Sequence, residues 1–115
     1  MQITERISQD VVVLELIGRL TVDDGAELLR NKIGSVVSRG HNKVVLNIAR
    51  VPHMDSPGLG EVVRSYVTLH NVKGTMKLSG LSGRVVELLT IMKLIQVFDT
   101  YETEQQALDS FLVTA

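Results

Sequence analysis

Three short runs of β-branched and aliphatic residues constrain this chain more than any other feature: VVVLELI at 11–17, KVVLNIA at 43–49 and TMKLS at 75–79. Each is too short for an ordinary helix, and the first stops at Gly18, so each predicts a short buried strand. The stretches between them carry helical periodicity instead. Ala26, Leu29, Ile33, Val36 and Val37 fall on one stripe behind Asp23-Asp24, either of which can cap a helix that runs to about Ser38 and stops at Arg39-Gly40. Leu59, Val62, Val63, Tyr66, Val67 and His70 form a second stripe that ends near Asn71 and puts His70 at the edge of the core. A crossover helix returns the chain to the same end of a sheet, so this alternation favours a sheet that is parallel over much of its width.

The two ends of the chain extend the pattern. ITERIS at 3–8 alternates Ile3, Glu5 and Ile7 on one side, a partly apolar face suited to a sheet edge. Only Gln9 and Asp10 separate it from the next strand, which requires an antiparallel hairpin. Further on, Ser82 is the expected cap of a third helix carrying Val85, Leu88, Leu89 and Met92, and Ile95 to Phe98 predict a last short strand. Leu94 and Ile95 interrupt the stripe of that helix, so one of them is expected to be exposed. Thr103 with Gln106 fits a capping box, and the helix behind it is expected to bury Ala107, Leu108, Phe111 and Leu112. The expectation is a single α/β domain over residues 1–115, with a mixed, mostly parallel β-sheet, an N-terminal hairpin and about four α-helices.

Composition narrows what such a domain can do. At 115 residues, folding buries roughly two thirds of the surface that the unfolded chain exposes, enough for one core. Aromatic residues make up only 3%, so that core must be aliphatic. The net charge is −1 and the 12 basic residues are scattered, which leaves no basic stripe to follow a nucleic-acid backbone. The chain has no cysteine, which excludes a disulfide framework, a thiol nucleophile and a thiolate metal site. MQITERISQD lacks the basic start and apolar run of a signal peptide, and no apolar stretch reaches the roughly 18 residues that span a bilayer. A cytoplasmic protein with no direct membrane contact is expected.

Between the second buried run and the second helical stripe lies HMDSPGLG at 53–60. Pro57 suits the first helical position and pushes its predecessor out of helical geometry, so Ser56 is the expected N-cap, accepting from the amide of Gly58 or Leu59. Gly58 and Gly60 each cost roughly 1 kcal/mol relative to alanine in a helix. Two explanations fit. Either the bare amides are open to an anion, a backbone or a partner surface from outside, or the helix start packs tightly on an adjacent strand.

Hydrolysis by His53, Asp55 and Ser56 fails on geometry, because neighbours on one extended segment point to alternate faces and cannot converge into a triad. No G-x-S-x-G elbow is present either, so no enzyme is expected. His41, His53 and His70 lack metal-ligand spacing, and both phosphate-binding glycine motifs are absent, so neither a metal nor a cofactor is expected.

Asp55-Ser56-Pro57-Gly58-Leu59-Gly60, after an apolar strand and before an amphipathic helix, resembles the D-S-[ST]-G-L-G signature of STAS-domain anti-sigma factor antagonists. The likeness covers nearly the whole chain, with VVVLELIGRL, KVVLNIARVPHMDSPGLG and FDTYETEQQAL falling where that family has its second strand, phosphorylation loop and last helix. It implies a STAS fold and a cytoplasmic monomer or weak dimer. It also implies a partner, an anti-sigma factor with the ATP-binding fold of histidine kinases. That partner binds the unmodified antagonist, phosphorylates the serine matching Ser56 and is then released, and a phosphatase resets the modified form. Here Pro57 replaces the second hydroxyl of the signature. Where the family often has aspartate after the Gly-x-Leu ending the second strand, Gly18-Arg19-Leu20 is followed by Thr21, with Asp23 and Asp24 just beyond. The contact surface implied is Met54, Asp55, Pro57, Gly58 and Leu59 around Ser56, with Thr21 and Asp23. A phosphate there would meet Asp55 and the partner, while the helix start would offer it the amides of Gly58 and Leu59. The alternative is a STAS domain used as a fixed, unphosphorylated subunit of a signalling scaffold or lipid-transport complex, with Ser56 only a cap.

Overall fold

The structure is a computed structural model, and it describes residues 1–112. In chain order the elements are β1 (Gln2–Ser8), β2 (Val11–Ile17), α1 (Ala26–Ser38), β3 (Lys43–Arg50), α2 (Ser56–Asn71), β4 (Thr75–Ser79), α3 (Gly83–Ile91), β5 (Asp99–Tyr101) and α4 (Glu104–Leu112). The five strands form one sheet in the order β1-β2-β3-β4-β5. β1 and β2 pair antiparallel from Ser8↔Val11 to Gln2↔Ile17, and the remaining pairs are parallel. Gln9 and Asp10 turn the hairpin at φ 50° and 67°, the two left-handed residues that a two-residue turn matching strand twist requires.

The continuous apolar runs follow from a sheet covered on both faces. Val12, Leu14, Leu16, Val44, Leu46, Ile48, Met76 and Leu78 face one way and pack with Leu29, Ile33, Leu59, Val62, Leu69, Val85 and Leu89 of α1, α2 and α3. Val11, Val13 and Val45 face the other way, under Ala107, Leu108 and Phe111 of α4. The expected capping box opens α4: the Thr103 hydroxyl accepts from Gln106 N–H at 3.1 Å and Gln106 Oε1 accepts from Thr103 N–H at 3.3 Å. Arg6 ties β1 to this helix through two bonds to Glu104, at 2.9 and 2.7 Å, and Asn47 donates to the same carboxylate.

Several local expectations are corrected. Ile95–Phe98 is not a strand but a turn, anchored inward by Phe98 while Val97 is exposed: Phe98 is buried edge-on to Tyr66 at 5.4 Å, and pairing starts only at Asp99. Leu94 and Ile95 are both half-buried, so neither is the exposed one. In α2 the buried line runs through Leu59, Val62, Ser65 and Leu69, which turns Val67 and His70 to solvent; His70 instead stacks on Tyr66. Met92 and Leu112 lie just past or at the ends of their helices and are exposed. Neither Asp23 nor Asp24 caps α1. The cap is Gly25 at φ +94°, held by space as well as by dihedral, since a Cβ there would stand 2.9 Å from the Arg19 carbonyl. Asp24 is engaged by the amine of Met1 at 2.7 Å.

Candidate functional site

Beyond β2 and β3 the two segments that continue them stay paired. Gly18 N–H donates to Arg50 O at 3.0 Å, Leu20 N–H to His53 O at 3.0 Å, and Asp55 N–H to Leu20 O at 3.3 Å. Leu20, Val51 and Met54 peg this extension into the core. The segment leading into α2 is therefore fixed rather than a free loop, and it places residue 55 beside the turn that follows β2.

Asp55, not Ser56, is the N-cap of α2. Its backbone is extended at φ −96° and ψ 177°. Its Oδ1 accepts from Gly58 N–H at 2.7 Å and its Oδ2 from Val22 N–H at 3.2 Å. A hydroxyl at 56 could cap only the helix, whereas the two oxygens of a carboxylate satisfy the helix amide and staple the 21–25 turn in one step. Pro57 then falls in the first turn, where a missing N–H leaves nothing unpaired. The Ser56 side chain is released from the capping role and stands exposed with Pro57.

The two glycines have different reasons. A Cβ at Gly58 would run into the carbonyl of Leu20, so Gly58 is there for packing. Gly60 is exposed, and a Cβ on it would meet nothing within 4 Å. Only Gly60 fits the reading in which bare backbone faces something outside. The offered amides are also corrected: Gly58 N–H is taken by the Asp55 carboxylate and Leu59 N–H by the Asp55 carbonyl, so neither is open to an added anion.

Of the residues expected at a contact surface, Ser56, Pro57 and Asp23 are exposed and Asp55 is half-buried. Met54, Gly58, Leu59 and Thr21 are buried, so their side chains support the surface from behind rather than forming it. Thr21 shapes the turn, accepting Asp24 N–H on its Oγ1 at 3.1 Å. Two further features border these residues, an exposed valine and a cleft. Val22, 63% exposed, rides on the turn stapled by Asp55, and its only sequence signal is an apolar residue between polar neighbours. On the other side, Pro52 and His53 join Arg84, Leu88 and Ile91 of α3 around a cleft of about 390 Å³.

Both carboxylate oxygens of Asp55 are committed to backbone amides, so Asp55 does not orient His53 toward Ser56 as a triad requires. Among the described residues no group of three potential metal ligands occurs, and no helix is long and apolar enough to cross a membrane. What the site presents is a rigid, solvent-facing hydroxyl framed by proline, an exposed valine, an acid and a bare glycine.

The family model described as STAS domain matches residues 2–107. A Thermotoga neapolitana protein named "Putative anti-sigma factor antagonist TM1081 homolog" is 27% identical over 104 residues, spanning 90% of this chain and 92% of its own. The solved structure of the anti-sigma factor antagonist SpoIIAA in its unphosphorylated form superposes with a TM-score of 0.76 at 26% identity, covering 98% of this chain and 100% of that one. The phosphorylated form of the Bacillus cell fate determinant SpoIIAA gives a TM-score of 0.75 at 25% identity, covering 96% and 99%.

Proposed function

The chain belongs to the STAS domain family, and from that premise we propose that it is an anti-sigma factor antagonist switched by phosphorylation of Ser56. Unmodified, it sequesters an anti-sigma factor of the histidine-kinase-like ATPase fold; phosphorylated by that kinase, it lets go, and a phosphatase restores it. The observation that carries this reading is the exposure of Ser56 combined with its release from the cap by Asp55. A serine needed to hold the helix would be a poor phosphoacceptor, and this one is not needed.

The physics favours release by repulsion. A phosphate adds a charge of about −1.5 to −2 at pH 7. It would stand beside the Asp55 carboxylate, with the amides of Gly58 and Leu59 already engaged. The field of the helix N-terminus would favour it, but those two amides would not receive it, so the group stays outside, in the middle of the contact surface. That surface comprises Ser56, Pro57, Asp23 and Val22, with Asp55, Thr21, Met54, Gly58 and Leu59 holding its shape. The protein does no chemistry of its own in this scheme; it acts in the cytoplasm as a monomer or weak dimer, and the partner supplies ATP.

Incubation with the cognate kinase and ATP, followed by mapping of the phosphate, tests the assignment. Label on Ser56 is expected; label elsewhere, or none, removes it. The fixed-subunit alternative separates in a Ser56→Asp variant, which should lose the partner with its fold intact under the switch and keep its assembly under the alternative.

A further inference from the structure

Glu61 is a carboxylate in an unusual place. It lies on the side of α2 turned toward α1 and is 5% exposed. Every donor it receives converges on one oxygen: Arg30 reaches Oε1 through Nε at 3.0 Å and Nη2 at 2.6 Å, and Arg64 Nε approaches the same atom at 3.4 Å. Oε2 is sealed from solvent and has no partner. An unpaired buried carboxylate oxygen is costly, and the pairing of Oε1 with Arg30 leaves that cost in place.

Glu61 itself lines a groove of about 210 Å³ between the two helices, with Arg30, Gly34, Arg64, Ser65 and Thr68, although Oε2 is closed off from it as the side chains stand. Ser65 does not serve it, because its hydroxyl donates to the Glu61 carbonyl at 2.8 Å. Across the groove Gly34 is bare, and a Cβ there would meet nothing within 4 Å. The floor therefore wants a donor, while the two guanidiniums at the rim, 53% and 63% exposed, still have donors to give. A cation would satisfy the floor and be repelled by the rim. An anion would satisfy the rim and be repelled by the floor. A neutral carboxamide satisfies both. The volume lies below the roughly 300 Å³ at which small-molecule sites begin, so it suits one side chain rather than a nucleotide.

We propose that the α1–α2 groove receives one Asn or Gln side chain, its NH2 donating to Glu61 Oε2 and its carbonyl accepting from Arg30 or Arg64. Arg64, held to Glu61 by a single 3.4 Å contact, swings aside in this proposal, and that movement is what uncovers Oε2 and admits the side chain. The donor of that side chain is the protein that docks on Ser56, an assignment that rests on the proposed function. The outer face of α2 runs from Ser56 through Gly60 to Arg64 at steps of one helical turn, so a protein seated on Ser56 reaches the groove mouth.

The test uses the intact, isotopically labelled protein titrated by NMR with propionamide, with propionate and propylammonium as comparators. Propionamide is expected to shift the Arg30 and Arg64 side-chain Nε–H signals and the Gly34 amide saturably in the millimolar range, and to bind at least about tenfold better than either comparator. Gly34→Leu fills the groove from α1 without touching Glu61 and should abolish the response; Glu61→Leu should do the same, with the Leu69 amide as a check on the fold. Ser56→Asp should leave propionamide binding unchanged, which keeps this result independent of the switch. No saturable shift, an equal response to all three probes, or survival of the response in Gly34→Leu would overturn the groove assignment. Gly34→Leu should also weaken binding of the cognate anti-sigma factor by about tenfold or more. Unchanged affinity there, with propionamide binding intact in the parent, would overturn the partner assignment alone.

Discussion

Alanine at Gly58 and alanine at Gly60 are the same substitution two residues apart on one helix, and they should move stability in opposite directions. On helix propensity alone each gains about 1 kcal/mol. At Gly60 that gain is free, because the new methyl meets nothing within 4 Å, and Gly60→Ala should stabilise by about 0.5–1 kcal/mol. At Gly58 the methyl runs into the Leu20 carbonyl, a backbone atom already held by Asp55 N–H at 3.3 Å. Relief requires the helix start to move off the turn, at a cost of about 1–3 kcal/mol for overpacking and about 1 kcal/mol each for the Leu20–Asp55 bond and the Asp55 cap. Net of propensity, Gly58→Ala should destabilise by about 2–4 kcal/mol. Urea unfolding of the three proteins, followed by circular dichroism, measures both changes, and at this chain length each 1 kcal/mol corresponds to about 3–6 °C in Tm. A Gly58→Ala protein as stable as the parent would refute the close approach of Leu20 and with it the rigid placement of Ser56. Partner binding adds a second contrast: Gly60→Ala, though more stable, should bind less well if Gly60 lies under the partner.

Asp55→Ala leaves the amides of Gly58 and Val22 without their acceptor and should destabilise by about 1–3 kcal/mol, with hydrogen exchange at those two amides rising ahead of the β3 core. The pH dependence of stability has a local source as well. Pairing with Arg6 holds the Glu104 carboxyl below its ordinary value of 4.5, against the opposing effect of burial and with help from Asn47. A depressed folded-state pKa gives stability that is present above the unfolded value and lost as pH falls through the folded one. Unfolding midpoints should therefore drop as pH falls below about 4.5, and Glu104→Gln should flatten that part of the profile. Thr103→Ala removes half of the capping box and should cost about 1 kcal/mol, read as early fraying of α4 in hydrogen exchange.

The parts of the fold legible in the sequence are those whose causes are local. The hairpin follows from two residues between two strands, the capping box from Thr103 and Gln106, and the doubly covered sheet from runs such as VVVL that cannot alternate because both faces are buried. The parts that were not legible depend on contacts far along the chain. Asp55 displaces Ser56 as the cap because its second oxygen finds Val22, 33 residues earlier, which no local rule anticipates. The sequence likewise does not distinguish Gly58 from Gly60, since only the position of Leu20 decides which of them is crowded. The phase of α2 departs from its apolar pattern because its α1-facing side buries Glu61 and Ser65, polar residues that carry no hydrophobic signal. Ile95 to Phe98 has the composition of a strand, yet Phe98 meets Tyr66 and the segment closes into a turn. The candidate phosphoacceptor was visible in the motif, but its exposure and its freedom from the cap were not.

Under the proposed switch, a negative charge at one solvent-facing hydroxyl is enough to expel a partner without disturbing the domain. Calorimetric titration of the cognate anti-sigma factor into the unmodified protein and into protein stoichiometrically phosphorylated on Ser56, with NMR spectra of both forms, measures this directly. A like charge forced into an interface costs several kcal/mol, so affinity should fall by about 100-fold or more while amide shifts change only around residues 20–24 and 53–60. Equal affinity of the two forms, or a loss accompanied by shifts throughout the sheet, would contradict it.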